Sequence, residues 1–511
     1  MPMCDTAVTS ATLSRRTMLL LLAAAAGSGT TASASAVSGT AAPAADPRFG
    51  PPVRFSWDQL VSRARQLARR PHVPQPYAAD PARDFEASVA RAYGPAEALG
   101  GLVRLLPVTR LAPIPVRIHL VEGGAARPLQ STLGLFAGDV AGEVAGFRVL
   151  DTSQRSDWLA FQGASYFRAS GSQDQYGLST RGIAVDTGLQ RPEEFPAFTD
   201  FWIEVLGARH VRVHALLDGP SLTGAYAFDC THGSRGVEQQ IRAALFLRRD
   251  IERLGIAPAT SMFWYDEARR SREDDWRPEV HDSDGLAIRT GTGERIFRPL
   301  VSPDGAQVSS FRADGLKAFG LLQRDRQFAS YQDDGAFYER RPNLWVVPDG
   351  DWGPGSILLY EMPTNSETAD NVVAFWQSDR PAKSGERRDL AYTLRWTSDD
   401  LSDDGAARVV DSWTGSGGIP GAPPASGTKK FVVDFEGRGL IGLGRDDLEA
   451  DINIPAAALS MKSSYPVVGQ AGRWRVMLDI RPDTAGVQEL RLFLRRGETA
   501  LSETLILPLR P

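Results

Sequence analysis

Five consecutive residues, His281-Asp282-Ser283-Asp284-Gly285, place an imidazole and two carboxylates ahead of a glycine turn. Imidazoles and carboxylates are the usual proton carriers of acid–base catalysis. The same residues also suit an Asx-turn, in which Asp282 and Asp284 accept from backbone N–H groups. Residue types alone leave both readings open.

Three further polar clusters follow. Gln323-Arg324-Asp325-Arg326 has Tyr331 and Tyr338 nearby, and Asp349-Gly350-Asp351-Trp352-Gly353 is the second. In the third, EMPTNSETADNVVAFW (361–376), Glu367 and Asp370 precede an apolar run. Each has a plain structural reading: a surface ion pair of Arg324 with Asp325, a turn shaped by Asp351, a strand that starts at Asp370. Together they suggest a carboxylate-lined cleft rich in aromatics. Nine of the eleven tryptophans lie from Trp158 to Trp413, so aromatic faces are concentrated where these clusters fall. Such faces beside Asp, Arg and Tyr suit sugar rings, which offer both C–H surfaces and hydroxyls. Glycoside hydrolysis needs two carboxyl groups, one to protonate the leaving oxygen and one to activate water or attack carbon.

The elements that must position these groups are mostly strands. Near the N-terminus Phe55 to Arg70 is amphipathic, with Leu60, Val61, Ala64, Leu67 and Ala68 on one face. A second short helix is expected from Asp80, with Pro81 at its first position and Phe85 and Val89 on one face. From about residue 102 the period changes to two: Val116, Ile118 and Leu120 alternate with Arg117 and His119, and 209–217 alternates likewise. Frequent Gly and Pro turns to residue 400 then predict a large antiparallel sandwich or barrel. The stretch TGSGGIPGAPPASG (414–427) lies near a junction or in an early loop of a second unit. The runs 431–435, 474–480, 490–494 and 505–509 predict an immunoglobulin-like sandwich without its disulfide. The expected layout is a signal over 1–36, a flexible lead-in over 37–52, a β-sandwich over 53–400 and an immunoglobulin-like unit over 401–511.

Composition narrows the function. Of 511 residues 42% are hydrophobic and 23% charged, with net charge −5 and no long basic block. That describes a globular chain and argues against nucleic acid as partner. Ser14-Arg15-Arg16-Thr17-Met18-Leu19-Leu20 is a twin-arginine signature, followed by an apolar core from Leu19 to Ala26 and a cleavage site at Ala34-Ser35-Ala36. Of two cysteines, Cys4 lies in this signal, and Cys230 in an apolar context reads as core. Six scattered histidines and the absence of HExxH or paired-cysteine spacing predict no metal and no cofactor.

Ordered motifs carry a family resemblance from about Gly163 to Gly439. They are GASYFRASG (163–171), YGLSTRGIAVDTG (176–188), EEFPAFTDFWIE (193–204), LTGAYAF (222–228), LGIAPATSMF (254–263), RPEVHDSDGL (277–286), FGLLQRDR (319–326), GDWGPG (350–355), DNVVAFW (370–376) and FVVDFEG (431–437). On these the chain resembles the periplasmic glucan biosynthesis proteins of the OpgG/OpgD (MdoG) family, with a twin-arginine signal like the D-type branch. The resemblance implies an N-terminal galactose-mutarotase-like β-sandwich and a C-terminal immunoglobulin-like domain. It implies cleavage of β-1,2-glucan by an anomer-inverting mechanism, with Asp370 as acid and Asp282 as base. Tyr338 and Glu367 match polar cleft positions, and His281, Asp284, Arg324 and Trp352 join them as expected substrate contacts. A non-catalytic scaffold for a membrane glucosyltransferase, or a transglycosylase, would use the same site. The chain departs from the family over RAYGPAEALGGLVRLLPVTRLAPIPVRIHL (91–120), which is shorter and lacks the usual YDxYRxIRF and LPF patterns.

Overall fold

A computed structural model describes residues 46–509, apart from 78–91, 93–94, 139–141, 268, 271–273, 402–404, 420 and 424. The signal, residues 37–45 of the lead-in and the helix expected from Asp80 lie outside the described residues.

The protein is nearly all β. A sixteen-stranded sheet and a ten-stranded sheet share one hydrophobic core. Alternation explains the sharing. In His210–Asp218 the side chains of Val211, Val213, Ala215 and Leu217 are fully buried, as a strand with one face on a core requires. The centre is aromatic: Phe147, Phe161, Phe167, Phe201 and Phe228 stack or meet edge-on at 5.1–5.6 Å, the spacing that suits ring quadrupoles.

The predicted amphipathic helix is present as Trp57–Ala68. Ser56 caps it by accepting from the Gln59 N–H at 3.3 Å. Its buried Leu60 and Ala64 cover the outer face of the large sheet, against Trp202, Leu216, Ala225 and Phe246. That is why the strand Leu222–Gly233 is buried on both faces over most of its length.

Two pairings depart from the expected antiparallel pattern. Arg117–Glu122 runs parallel to Ala197–Gly207. Arg295–Pro299 runs parallel to Thr504–Pro508, through Ile296 opposite Thr504 and Phe297 opposite Leu505. The second pairing carries the large sheet onward through Glu489–Arg496 to Glu449–Ile452. Those strands oppose a separate four-stranded sheet, Arg408–Ser416, Lys429–Glu436, Arg473–Ile480 and Leu459–Pro466. The resulting sandwich buries Phe431, Phe435, Trp474 and Leu478 against Leu490, Leu492 and Leu494. Ala287, Phe297 and Trp345 from before residue 400 belong to the same core. The Gly/Pro-rich stretch begins inside the strand Arg408–Ser416, where Thr414, Gly415 and Ser416 pair with Phe431, Lys430 and Lys429, and its remainder leads to Lys429–Glu436.

Cys230 is a buried free thiol that accepts from Gln239 Nε2 at 3.6 Å. Burial pushes its pKa up to about 12, so it is core rather than nucleophile.

Candidate active site

The central motif is the crossing between the two sheets. The strand Leu254–Ser261 belongs to the ten-stranded sheet, and a short hairpin then pairs Phe263–Tyr265 with Val280–His281. The Asp282 N–H donates to the Met262 carbonyl at 2.8 Å. Ser261 Oγ donates to Ser283 Oγ at 2.9 Å. Asp284 Oδ2 accepts from the Arg324 and Asp325 N–H groups at 2.6 and 2.9 Å, so Asp284 does the turn-shaping work. Gly285 then enters the sixteen-stranded sheet. It must be glycine: a Cβ there would lie 2.2 Å from the Phe297 ring.

Asp370 reaches the same place from the other side. Val372–Ser378 pairs with Leu254–Ser261, with Val372 opposite Ser261. Next to Asp370, the buried Asn371 clamps one residue. Its Oδ1 accepts from the Phe263 N–H at 2.8 Å, and its Nδ2 donates to the Phe263 and Met362 carbonyls at 3.0 and 2.8 Å. Met262-Phe263 is therefore bonded to Asp282 on one side and to Asp370's neighbour on the other. Asp282 is fully buried and forms an ion pair with Arg341, whereas Asp370 is half-buried. A paired guanidinium favours the ionised carboxylate.

Tyr338 and Glu367 are joined directly. Tyr338 sits in a short helical turn, Tyr338–Arg340, entered through Phe337 at φ +48°, a left-handed conformation uncommon for a bulky residue. Its hydroxyl donates to Glu367 Oε2 at 2.7 Å. Arg341 lies 3.9 Å over its ring, so Tyr338 touches the groups that hold both Asp282 and Glu367. Glu367 Oε2 also accepts from Arg277 Nη1 at 2.7 Å. The same guanidinium donates to Asp333 at 2.9 Å and to Asp275 at 2.9 and 2.7 Å. Burial opposes its charge, but Asp275 and Glu367 outweigh burial and raise its pKa.

His281 lies beneath this layer, stacked on Phe263 at 5.3 Å and edge-on to Tyr331. Gln323 Nε2 donates to the carbonyls of His281 and Tyr338, which leaves Gln323 Oε1 to accept from His281 Nδ1 at 2.9 Å. His281 Nε2 faces Glu279 Oε2 at 2.8 Å. An imidazole that donates from both nitrogens is an imidazolium. Burial lowers its pKa, yet the hydrogen bond and charge of Glu279 prevail and leave it raised. Burial also raises the Glu279 pKa against the opposing pull of His281. Burial raises that of Asp284 too. His281 thus braces the wall of the cleft from inside the protein.

Two expected contacts lie elsewhere. Arg324 turns toward the C-terminal sandwich, donating to Glu503 at 2.5 and 3.0 Å, to Asp400 at 3.1 Å and to the Val409 carbonyl at 3.1 Å. Its guanidinium stacks 3.8 Å over Phe297. Trp352 packs on Trp376 at 5.2 Å, four strand residues beyond Val372, or about 13 Å at the usual rise. Asp351 shapes its turn by accepting from the Gly353 N–H at 2.8 Å.

Arg277 and Arg341 hold this site together, and neither stood out in the sequence. Arg277 sits four residues before His281, so its place in one motif was the available signal. Arg341 carried none, because its partner Asp282 is fifty-nine residues away. Among the described residues no group of three or more His, Cys, Asp or Glu side chains could hold a metal ion.

Comparisons with known proteins agree on a family. The family model "Periplasmic glucan biosynthesis protein, MdoG" matches residues 55–509. Glucans biosynthesis protein D 2 of Ralstonia nicotianae is 40% identical over 91% of this chain and 92% of its own length. Probable glucans biosynthesis protein D of Shewanella oneidensis is 44% identical over 76% and 75%. Glucans biosynthesis protein D of Stenotrophomonas maltophilia is 41% identical over 78% and 77%. Among solved structures, a galactose mutarotase related enzyme from Lactobacillus acidophilus aligns at a TM-score of 0.22 with 11% identity, covering 51% of this chain and 93% of that one. The chain belongs to the periplasmic glucan biosynthesis (MdoG) family, in its D-type branch.

Proposed function

We propose that the protein is a periplasmic, anomer-inverting endo-β-1,2-glucanase, with Asp370 as general acid and Asp282 as general base. One observation carries the reading: two aspartates of different exposure flank the same dipeptide, Met262-Phe263, Asp282 through its backbone N–H and Asp370 through its neighbour Asn371. Asp370 gives its proton to the glycosidic oxygen as the C1–O bond breaks. A water attacks C1 from the opposite face, and its proton passes to Asp282. Direct inversion places the two carboxyl groups about 6.5–9.5 Å apart, with the water between them. Asp282 is fully buried, so its proton arrives through a relay, a second water or a hydroxyl of the bound sugar. Arg341 pairs with Asp282 in the resting site, and the Tyr338–Glu367–Arg277 chain fixes the floor on which the sugar sits.

The description of the matched family supports a periplasmic destination, and the Arg15-Arg16 signature supports the twin-arginine route. Among the described residues no helix is long and apolar enough to cross a membrane. The deciding experiment incubates purified mature protein with linear β-1,2-glucan. New reducing ends that appear first as the α-anomer are expected. Binding without new reducing ends would replace this reading with a glucan-binding scaffold, and products that lack reducing ends would replace it with a transglycosylase.

A further inference from the structure

A cleft of about 880 Å³ opens beside Trp352 and Trp376, at the far end of the strand that Asp370 precedes. Its lining has a specific character. Five basic and five acidic side chains surround it, and three exposed pairs form among them: Arg191 with Glu252 at 2.9 Å, Lys383 with Asp250 at 2.8 Å, Arg387 with Asp389 at 2.8 Å. The balance leaves no net attraction for an anion or a cation. Exposed pairs of this kind contribute little stability, so they can exchange partners with hydroxyl groups at small cost.

The aromatic wall is preorganised. Trp352 is held by Trp376 at 5.2 Å, by Tyr392 at 5.9 Å and by donation from its Nε1 to the Ala391 carbonyl at 3.3 Å. A Cβ at Gly355 would lie 2.7 Å from the Trp376 ring, so the backbone leaves room for that ring and nothing more. Trp376 is 3% exposed, and its Nε1 has no hydrogen-bond partner among the described residues; neither has Gln377 Oε1. Both residues line the cleft, so its wall holds a donor and an acceptor without protein partners. Buried polar atoms without partners call for an explanation, and a neutral polyhydroxylated ligand supplies both kinds of partner.

We propose that this cleft is a second carbohydrate site, which anchors a distant stretch of the same linear glucan chain whose cleavage is assigned to Asp282 and Asp370. The assignment of ligand rests on the proposed function; the site itself is read by binding alone. A polymer engages both sites and gains from their linkage, whereas a short oligosaccharide engages one.

The test titrates the mature protein carrying Asp370→Asn with linear β-1,2-glucan and, separately, with a short β-1,2-linked oligosaccharide. Adding Trp352→Ala should raise the Kd for polymer roughly tenfold and that for the oligosaccharide less than about twofold. Trp352→Phe should keep polymer binding within about threefold, because an aromatic face remains. Arg387→Ala with Asp389→Ala, both on the exposed rim, should weaken polymer several-fold and leave folding intact even where the tryptophan variant unfolds. Unchanged polymer affinity in the folded variants, or equal weakening of polymer and oligosaccharide, overturns the anchor site. Wild-type protein that binds polymer through Trp352 without cleaving it overturns the glucanase reading and keeps the anchor; binding of neither glucan overturns both.

Discussion

The Tyr338 hydroxyl donates to Glu367 Oε2 at 2.7 Å, across twenty-nine residues of sequence. That bond ties the turn that carries Arg341, and through it Asp282, to the segment that leads into Asp370. A substitution in this chain is therefore felt at both carboxylates. Tyr338→Phe is expected to lower kcat by about tenfold with little change in thermal stability, a positioning loss of the usual scale for misplaced groups. Equal kcat for variant and wild type on linear β-1,2-glucan would detach this bond from the chemistry.

Asp370→Asn and Asp282→Asn should each reduce turnover by about two or more orders of magnitude. Each variant should still bind oligosaccharide, since neither removes an aromatic surface. A reducing-end assay beside a calorimetric titration measures both quantities. Near wild-type turnover in either folded variant would remove that residue from its role.

Arg277 touches three carboxylates from a side chain that is 7% exposed. Its removal leaves buried negative charge without compensation. Arg277→Met should cost about 3–5 kcal/mol of stability, as breaking buried pairs does. Arg277→Lys should recover only part of this, because an ammonium cannot reproduce the fork that spans Asp275, Asp333 and Glu367. Denaturant melts of the three proteins decide the point.

The His281–Glu279 pair predicts a pH dependence with a definite sign. The folded pKa of His281 is raised above its ordinary 6.5. Its contribution to stability is fully present below 6.5 and is lost as pH rises through the folded value. Glu279 is also raised, from 4.5, so its contribution likewise falls as pH rises. Stability should therefore begin to decline above about pH 4.5 through Glu279 and continue to decline above 6.5 through His281, and His281→Gln should flatten the slope above 6.5. A slope in the variant as steep as in the wild type would assign it to other groups.

Arg324→Ala separates two roles. Its guanidinium pairs with Glu503 and Asp400 at 8% exposure, so the loss should be about 3–5 kcal/mol in stability. KM for glucan should stay within about twofold at temperatures where the variant is folded, because a residue pointing away from the cleft contributes no differential binding. A KM raised tenfold would return Arg324 to the cleft.

Local features of the fold were legible and long-range ones were not. The Leu60, Ala64 and Leu67 spacing marks an amphipathic helix, and Trp474, Val476, Leu478 and Ile480 mark a strand, because each signal lies within a few residues. The site motifs 281–285 and 367–370 were visible as clusters of proton-carrying groups. The direction of Arg324 was hidden, since its partner Glu503 is 179 residues away. The parallel pairing of Ile296 with Thr504 was hidden for the same reason: nothing in either strand's alternation names its neighbour. Arg277 and Arg341 look like ordinary surface cations until the fold encloses them.

That parallel pairing also sets an order of events. Thr504–Pro508 is wedged between Arg295–Pro299 and Glu489–Arg496 within a continuous sheet. Until it arrives, Arg295–Pro299 presents an open edge, and Phe297 lacks its cover. The half that carries the candidate site therefore cannot close its sheet until a strand some two hundred residues downstream has joined it.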